Sequence, residues 1–317
     1  MKEEGGRGKN DPLDRARRNA LRLLAGCGTL ALVNSGAAQT TPAMLKRPIP
    51  RTGEGLPVVG VGTWQTFDVG PDAPERAELG EVLRLLVAAG GSVVDSSPMY
   101  GRSEGVVGDL SAKGGLRDKL FFATKVWTRG RFEGIRQMED SMRLMRAQPI
   151  DLMQVHNLLD LEVHAATLKE WKTAKRIRYA GITHYHDGAH ADLERLVKTR
   201  EWDFVQFNYS IVEPEAEARL LPACADSGTA VIVNRPFSTG SLFPRVKGKP
   251  LPPWAADFDC SSWAQFFLKY ILSHPAVTCV IPGTRRVAHL KDNVQAGMGR
   301  LPDAAMRRRM TDYFARM

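Results

Sequence analysis

Four residues whose side chains could share a proton network lie at or just after the ends of three apolar stretches. The first stretch ends at Asp95, and Tyr100 follows it after a turn of small residues. The next two stretches end at Lys125 and His156. In α/β enzymes with parallel strands, the active site lies at the carboxyl ends of the strands. We therefore expect the four side chains to lie close together in one catalytic site.

These residue types suit the reduction of a carbonyl group by hydride, which needs a proton donor near the oxygen that gains negative charge. A free tyrosine has a pKa of about 10 and can serve as the acid if a nearby charge stabilises its conjugate base. Lys125 could supply that charge, and Asp95 could keep a buried Lys125 protonated. His156 could donate a hydrogen bond to the substrate oxygen. The alternative is that Asp95 caps a helix and the others are rim or core residues.

The rest of the chain alternates between two hydrophobic periodicities. Apolar residues at three-to-four spacing predict eight helices, over 75–89, 102–113, 132–147, 163–176, 188–199, 214–227, 262–273 and 286–297. Short β-branched or apolar runs predict one strand ending at Thr63 and seven more, over 92–96, 120–126, 150–156, 178–183, 203–208, 229–234 and 277–281. Eight strand–helix units indicate an α/β fold, a closed (β/α)8 TIM barrel, with a doubly wound open sheet as the alternative.

Two other stretches bear on this architecture. Residues 45–61 predict a β-hairpin with a glycine-containing turn over 51–55. Residues 238–260 are the longest stretch without a predicted element, and we interpret them as a cover over a bound cofactor or substrate. No linker rich in Pro, Gly or Ser divides residues 45–317, which we interpret as a single domain.

The set of Asp95, Tyr100, Lys125 and His156 resembles the catalytic tetrad of the aldo-keto reductases. The resemblance extends from about residue 45 to residue 299, and matching motifs stand at 60–64, 95–100, 123–125 and 151–156. It implies a barrel whose N-terminal hairpin plugs the bottom. It also implies NADPH-dependent reduction of an aldehyde or ketone to an alcohol, with Tyr100 as proton donor. A redox sensor or interaction module that binds nicotinamide on the same barrel, with little turnover, is the alternative.

The resemblance also implies cofactor contacts near the nicotinamide. Residues 177–184 look like the family stretch that usually ends Gly-Val-Ser-Asn and that holds the carboxamide together with a glutamine, here Gln206. Thr183 keeps the hydroxyl, whereas His184 replaces the asparagine. Asn234 stands where many relatives have a tyrosine that stacks on the ring. The next residue, Arg235, could contact the ring or the phosphates, or form a salt bridge at the rim.

The adenosine end of the cofactor and the substrate opening complete the implied site. The adenosine end would be held by residues of the last strand–helix unit, namely Gly283, Thr284, Arg285, Arg286 and Asn293. Arginines suit a 2′-phosphate, which favours NADPH over NADH. The large residues Trp64, Met99 and Trp127 follow the motif strands and would line an apolar opening, unless they are packing residues.

The N-terminus differs from the rest of the chain. Residues 1–22 are polar and basic and contain Arg17-Arg18, residues 23–33 are apolar, and small residues occupy 35–38. This pattern predicts a signal peptide of the twin-arginine type over residues 1–38, with cleavage within 35–39. We expect the twin-arginine machinery to export the protein to the periplasm, without stable membrane insertion after cleavage. Lipid anchoring at Cys27 is an alternative, as is a cytoplasmic location if the leader is not used.

Charge and cysteine content narrow the class of partner. The formal net charge of the 317 residues is +9, which could attract a phosphorylated cofactor or nucleic acid. Because aromatic and basic residues do not interleave, we expect no nucleic acid. The family resemblance implies a small carbonyl substrate, and we expect a monomer. The cysteines lack metal-ligand spacing, so we expect no metal, and we interpret Cys224, Cys260 and Cys279 as packing residues. The run 307–309 of arginines is interpreted as a solvated helix face or tail.

Overall fold

A ring of parallel strands forms the centre of the computed structural model, which describes residues 43–317. The predicted signal peptide and Cys27 lie outside the described residues. The strands in chain order are β1 (Lys46–Pro48), β2 (Gly55–Pro57), β3 (Val61–Gly62), β4 (Val93–Asp95), β5 (Phe121–Val126), β6 (Ile150–His156), β7 (Ile177–Thr183), β8 (Phe204–Asn208), β9 (Ala230–Asn234) and β10 (Cys279–Val280).

The sheet closes on itself. Strands β3 to β10 hydrogen-bond in the order of the sequence, every pair in parallel register. The two ends of the sheet meet through parallel bridges between Val59 and Val280 and between Gly62 and Gly283. The predicted (β/α)8 TIM barrel is therefore confirmed, and the open doubly wound alternative does not apply.

The inside of the barrel is filled by every second residue of the strands. Phe121 and Ala123 of β5, Leu152 of β6 and Phe204 of β8 belong to one buried interior cluster. Their neighbours in sequence, such as Phe122, pack instead in the larger cluster that includes residues of the surrounding helices. This alternation follows from the two-residue period of a strand. It also means that polar residues with the same period, higher along the strands, share the barrel interior.

The predicted hairpin closes the amino end of the barrel. Strands β1 and β2 pair in antiparallel register, and Ile49 and Leu56 join the interior cluster. Glu54 in the turn accepts a hydrogen bond of 2.6 Å from the Tyr179 hydroxyl and pairs with Arg178. The hairpin thus excludes water from the end of the barrel opposite the predicted catalytic residues.

Helices cover the outside of the barrel, close to the predicted ranges. They are α1 (Glu75–Ala88), α2 (Ser103–Lys113), α3 (Arg131–Leu144), α4 (Leu161–Thr173), α5 (His190–Thr199), α6 (Leu220–Ser227), α7 (Leu242–Val246), α8 (Trp263–Leu272), α9 (Val287–Gln295) and α10 (Ala304–Ala315). The predicted helix 214–227 is divided into a 3₁₀ turn, Glu215–Glu217, and α6. Over residues 43–317 no helix combines the length and the apolar character needed to cross a bilayer.

One expectation about the C-terminal third was wrong, and another holds only for Arg308 and Arg309. Residues 238–260 are not without structure, since they contain two 3₁₀ turns, Ser238–Gly240 and Pro253–Phe258, as well as α7. Trp254 packs its ring against Phe266 and Tyr313, which holds this stretch in place. Arg307 of α10 is half-buried and donates to Glu217 Oε1 at 2.7 Å, so only Arg308 and Arg309 of the arginine run are exposed. Cys224, Cys260 and Cys279 are buried, as predicted.

Candidate active site

The four predicted catalytic residues lie at the carboxyl end of the barrel. Asp95 and His156 are the last residues of β4 and β6, and Lys125 is the penultimate residue of β5. Tyr100 lies in the turn between β4 and α2, where its backbone N–H donates to Ser97 O at 2.9 Å. The sequence order of the strands is also their spatial order, so the three strand ends are adjacent.

A buried ion pair forms the centre of the site. Lys125 Nζ lies 2.6 Å from Asp95 Oδ2 and donates at the same distance to Ser96 O. The Lys125 side chain is 0% exposed and that of Asp95 3%. The other carboxylate oxygen, Asp95 Oδ1, accepts from Gln154 Nε2 at 3.2 Å and from Gln206 Nε2 at 2.9 Å. Every charge of the pair is therefore neutralised or hydrogen-bonded, as a buried pair requires.

The Tyr100 phenol lies beside this ion pair, with Lys125 Nζ 5.1 Å from the centroid of its ring. Burial favours the neutral amine of Lys125, but Asp95 and then Tyr100 outweigh it and raise the pKa of Lys125. Burial also raises the pKa of Tyr100, against the opposing effect of the Lys125 charge. Lys125 is therefore an ammonium at neutral pH and Tyr100 a protonated phenol, the state that a proton donor needs.

His156 is held neutral beside the phenol. Its Nδ1 lies 3.0 Å from Ser97 Oγ, and its ring meets that of Tyr100 edge-on with 6.0 Å between centroids. Burial, and after it the positive charge of Lys125, lowers the pKa of His156 to about 2. A neutral imidazole can donate one hydrogen bond without adding charge to the site.

The residues predicted to hold the carboxamide form one hydrogen-bonded group at the ends of β7, β8 and β9. Gln206 Oε1 accepts from Thr183 Oγ1 at 3.2 Å and from Asn234 Nδ2 at 3.3 Å. The His184 carbonyl also accepts from Asn234 Nδ2, at 2.9 Å, while its imidazole stacks on Tyr185. Burial lowers the pKa of His184 to about 4, so this side chain is neutral at neutral pH.

Several polar atoms in this region have no hydrogen-bond partner within residues 43–317. They are Asn234 Oδ1, Arg235 Nε and Asn157 Oδ1, and all three are buried. Arg235 has a left-handed backbone (φ 48°) and donates through Nη1 to Tyr185 O at 2.7 Å. Among the described residues Arg235 forms no ion pair with an acid, so the predicted rim salt bridge is not formed. Buried polar atoms normally have partners, and these three suit a bound polar ligand.

The residues predicted to hold the adenosine end of the cofactor lie between β10 and α9 and, for Asn293, within α9. Gly283 bridges to Gly62 across the barrel closure, and Thr284 is buried with its Oγ1 accepting from Arg286 N at 3.0 Å. Arg285 and Arg286 are exposed and have no acidic partner within the part of the chain that the structure describes. Asn293 is buried on α9. Two unpaired guanidinium groups beside strand-end backbone are chemically suited to a phosphate.

The three residues predicted to line the substrate opening are large and exposed. Trp64 is 46% exposed, and Met99 and Trp127 are each 39% exposed. The Trp127 ring lies 6.2 Å from the ring of His156, so it is adjacent to the tetrad. These residues contribute apolar surface at the carboxyl end, and packing alone does not account for them.

Three residues of the site are not among those that the sequence predicted. Gln154 donates to Asp95, and Ser97 contacts His156. Asn157 follows His156 in sequence, and its side-chain oxygen Oδ1 has no hydrogen-bond partner among the described residues. The two-residue period would have found Gln154, because it shares a strand face with His156. Nothing in the sequence marks Ser97 among the small residues of its turn. Within residues 43–317 no group of three or more His, Cys, Asp or Glu is placed to hold a metal ion.

Comparison with known proteins identifies the family to which this chain belongs. The model of the family described as "Aldo/keto reductase family" matches residues 58–309. This chain belongs to the aldo/keto reductase family. It is thus an oxidoreductase of that family, and the predicted resemblance to the aldo-keto reductases is confirmed for the chain.

Individual aldo/keto reductases show how far the likeness extends. Methylglyoxal reductase YeaE of Escherichia coli is 29% identical over 245 residues, which cover 75% of this chain and 84% of the relative. Aldo-keto reductase YhdN of Bacillus subtilis is 27% identical over 58% of this chain and 59% of its own. A solved aldo-keto reductase from Klebsiella pneumoniae in complex with NADPH superimposes with a TM-score of 0.70 at 22% identity, over 86% of this chain and 95% of that one.

Proposed function

We propose that this aldo/keto reductase reduces an aldehyde or ketone to an alcohol with NADPH, and that Tyr100 donates the proton. The observation that carries the proposal is the buried Lys125–Asp95 pair, 2.6 Å between Nζ and Oδ2, beside the Tyr100 ring. A fixed ammonium next to a phenol stabilises the tyrosinate that remains after the proton has left.

The residues around the barrel mouth fit this cofactor. The unpaired Asn234 Oδ1 and Asn157 Oδ1 can accept from a carboxamide, and the unpaired Arg285 and Arg286 can bind phosphate. NADPH, when bound, supplies the hydride. The Klebsiella relative was solved with that cofactor, which supports NADPH over NADH.

The chain's own residues then divide the remaining work. Neutral His156 donates a hydrogen bond to the carbonyl oxygen and orients it toward Tyr100. Tyr100 passes its proton to that oxygen as negative charge develops there, while Lys125 stabilises the phenolate. Asp95 keeps Lys125 charged in a position without water, as the raised pKa of Lys125 indicates.

Substitution of Tyr100 by Phe tests this proposal. It removes the proton donor but keeps the ring, so we expect the rate of NADPH oxidation with an aldehyde to fall at least about 100-fold while NADPH affinity is unchanged. Tyr313→Phe on α10 is the matched control and should keep full activity. Wild-type protein that binds NADPH but turns over neither methylglyoxal nor aromatic aldehydes would favour the sensor alternative.

The physiological carbonyl is open to a panel of substrates. The Escherichia coli relative is a methylglyoxal reductase, which places small dicarbonyls in the panel. The exposed Trp64, Met99 and Trp127 favour larger apolar aldehydes as well. The values of kcat/KM for both substrate classes, measured with NADPH and with NADH, show which carbonyl and which cofactor the enzyme prefers.

We also propose that residues 1–38 direct export by the twin-arginine route, with the cofactor bound before transport. The support is the basic region with Arg17-Arg18, the apolar stretch and the small residues at 35–38. Replacement of both arginines by lysine should keep the protein in the cytoplasm. Cell fractionation with N-terminal sequencing of the processed form measures this, and an unprocessed wild-type protein in the cytoplasm would contradict it.

A further inference from the structure

A second buried acid lies next to the tetrad without belonging to it. Glu104, in the first turn of α2, is 2% exposed. Its carboxylate accepts a hydrogen bond from the hydroxyl of Thr124, which is 0% exposed. A buried carboxyl group is costly unless hydrogen bonds satisfy it, so this contact constrains both partners.

The contact joins the two segments that carry Tyr100 and Lys125. Thr124 immediately precedes Lys125 on β5, so its side chain points away from the barrel interior and toward the helices. Glu104 is separated from Tyr100 by only three residues. One of them, Ser103, is fully buried and donates from Oγ to Tyr100 O at 2.7 Å, which fixes the Tyr100 turn to the start of α2.

The surroundings of Glu104 favour its neutral form. Burial raises the pKa of Glu104, while the hydroxyls of Thr124 and Ser141 and then the charge of Lys125 oppose the rise, and Asp140 adds to it. No ion pair within residues 43–317 involves Glu104. Its role in the fold is therefore that of a hydrogen-bonding partner for β5.

We propose that Glu104 is a positioning residue that, through Thr124, fixes the distance between the Tyr100 phenol and the Lys125 ammonium. The kinetic consequence rests on the proposed reductase function, whereas the positioning itself does not. Misplacement of a catalytic group by a fraction of an ångström is sufficient to reduce a rate about tenfold.

The test replaces both partners by apolar residues of similar size. The double variant Glu104→Met/Thr124→Val removes both partners of this hydrogen bond together, so neither Glu104 nor Thr124 is left buried and unpaired, and it should fold. Glu104→Gln keeps an acceptor oxygen for Thr124 and serves as the conservative variant. Ser111→Ala is the matched control, because Ser111 is a buried hydroxyl on the same helix that bonds only locally, to Gly108 O at 3.1 Å.

Two readouts separate positioning from a general structural role. The first needs neither cofactor nor activity: a fluorinated tyrosine, whose phenol ionises near neutral pH, is incorporated only at position 100 and titrated by ¹⁹F NMR. Because Lys125 lowers the pKa of Tyr100, we expect the pKa of the label to rise in the double variant and to stay unchanged in Glu104→Gln and Ser111→Ala. The second is kcat for aldehyde reduction, which should fall about tenfold in the double variant alone, with unchanged NADPH affinity.

The outcomes are distinct. An unchanged pKa of the label in the double variant, or an equal change in Ser111→Ala, overturns the inference. If the wild-type protein shows no turnover, the proposed function fails, yet the titration still decides whether Glu104 positions Tyr100. Should the double variant not fold, the single variant Thr124→Val carries the same expectation and the same refutation.

Discussion

Replacement of Asp95 by Asn tests the electrostatic basis of the site most directly. Asparagine keeps the size of the side chain and one carbonyl oxygen but removes the charge that faces Lys125. The two atoms of the pair are 2.6 Å apart, and at an effective dielectric constant of about 20 their attraction is about 6 kcal/mol. The Lys125 side chain is 0% exposed, so water does not replace the lost partner.

The loss should affect both stability and catalysis. Breaking one side of a buried ion pair typically costs about 3–5 kcal/mol, less than the full attraction because the charged pair was itself expensive to desolvate. Without Asp95, burial is the dominant influence and lowers the pKa of Lys125. A neutral amine does not stabilise the phenolate of Tyr100, so we expect kcat to fall about 100-fold or more.

The assays are urea unfolding at neutral pH and the pH dependence of kcat for aldehyde reduction. Asp203→Asn is the matched control, because Asp203 is also a buried acid paired with a lysine, at 2.7 Å from Lys172 Nζ, but it lies directly before β8, at the end of that strand away from the tetrad. The control should lose some stability and keep its kcat. If Asp95→Asn keeps the wild-type kcat and pH profile, the assignment of Lys125 as the ammonium that acidifies Tyr100 is refuted.

Three further perturbations address other parts of the molecule. Since the pKa of His156 is about 2 in the folded protein and about 6.5 when unfolded, the unfolded chain binds more protons in between, so stability is lost as pH falls below about 6.5. In urea unfolding, the loss of stability between pH 7 and pH 5 should therefore be about 2 kcal/mol smaller in His156→Gln than in the wild-type protein. Arg286→Ala should weaken NADPH binding about tenfold and NADH binding little, as measured by fluorescence titration; an equal effect on both cofactors would place Arg286 away from the 2′-phosphate. Arg307→Met removes the 2.7 Å contact with Glu217 and should lower the free energy of unfolding by about 2 kcal/mol while kcat stays unchanged.

The proximity of Asp95, Tyr100, Lys125 and His156 could be predicted from sequence because strand ends are a local signal. Each of Asp95, Lys125 and His156 ends or nearly ends an apolar run, and consecutive parallel strands in a closed barrel are neighbours. The order of residues along the chain therefore gave their proximity in space. The same reasoning predicted the hairpin, because its glycine turn and flanking short strands are contiguous.

The features that could not be predicted depend on contacts between distant segments. The helix α7 and the turn Pro253–Phe258 are stabilised by packing, for example of Trp254 on Phe266, rather than by a periodic pattern of their own. The proline-rich composition of that stretch indicated a loop, and tertiary packing outweighed it. Likewise, three consecutive arginines on α10 read as solvated, although Arg307 reaches Glu217, 90 residues away.

The residues predicted to hold the nicotinamide carboxamide share one hydrogen-bond network with the Lys125–Asp95 ion pair. This network gives a structural role to Asn234, which departs from the family pattern. Gln206 Oε1 accepts from Thr183 and Asn234, which leaves Gln206 Nε2 to donate to Asp95 Oδ1 at 2.9 Å. If that amide were reversed, its oxygen would face the Asp95 carboxylate and its NH2 group would face the NH2 group of Asn234, at a large energetic cost. Asn234, which cannot stack on a nicotinamide ring as tyrosine does, thus orients the residue that holds Asp95. In the proposed reaction, Asn234 would therefore act through Gln206 and Asp95.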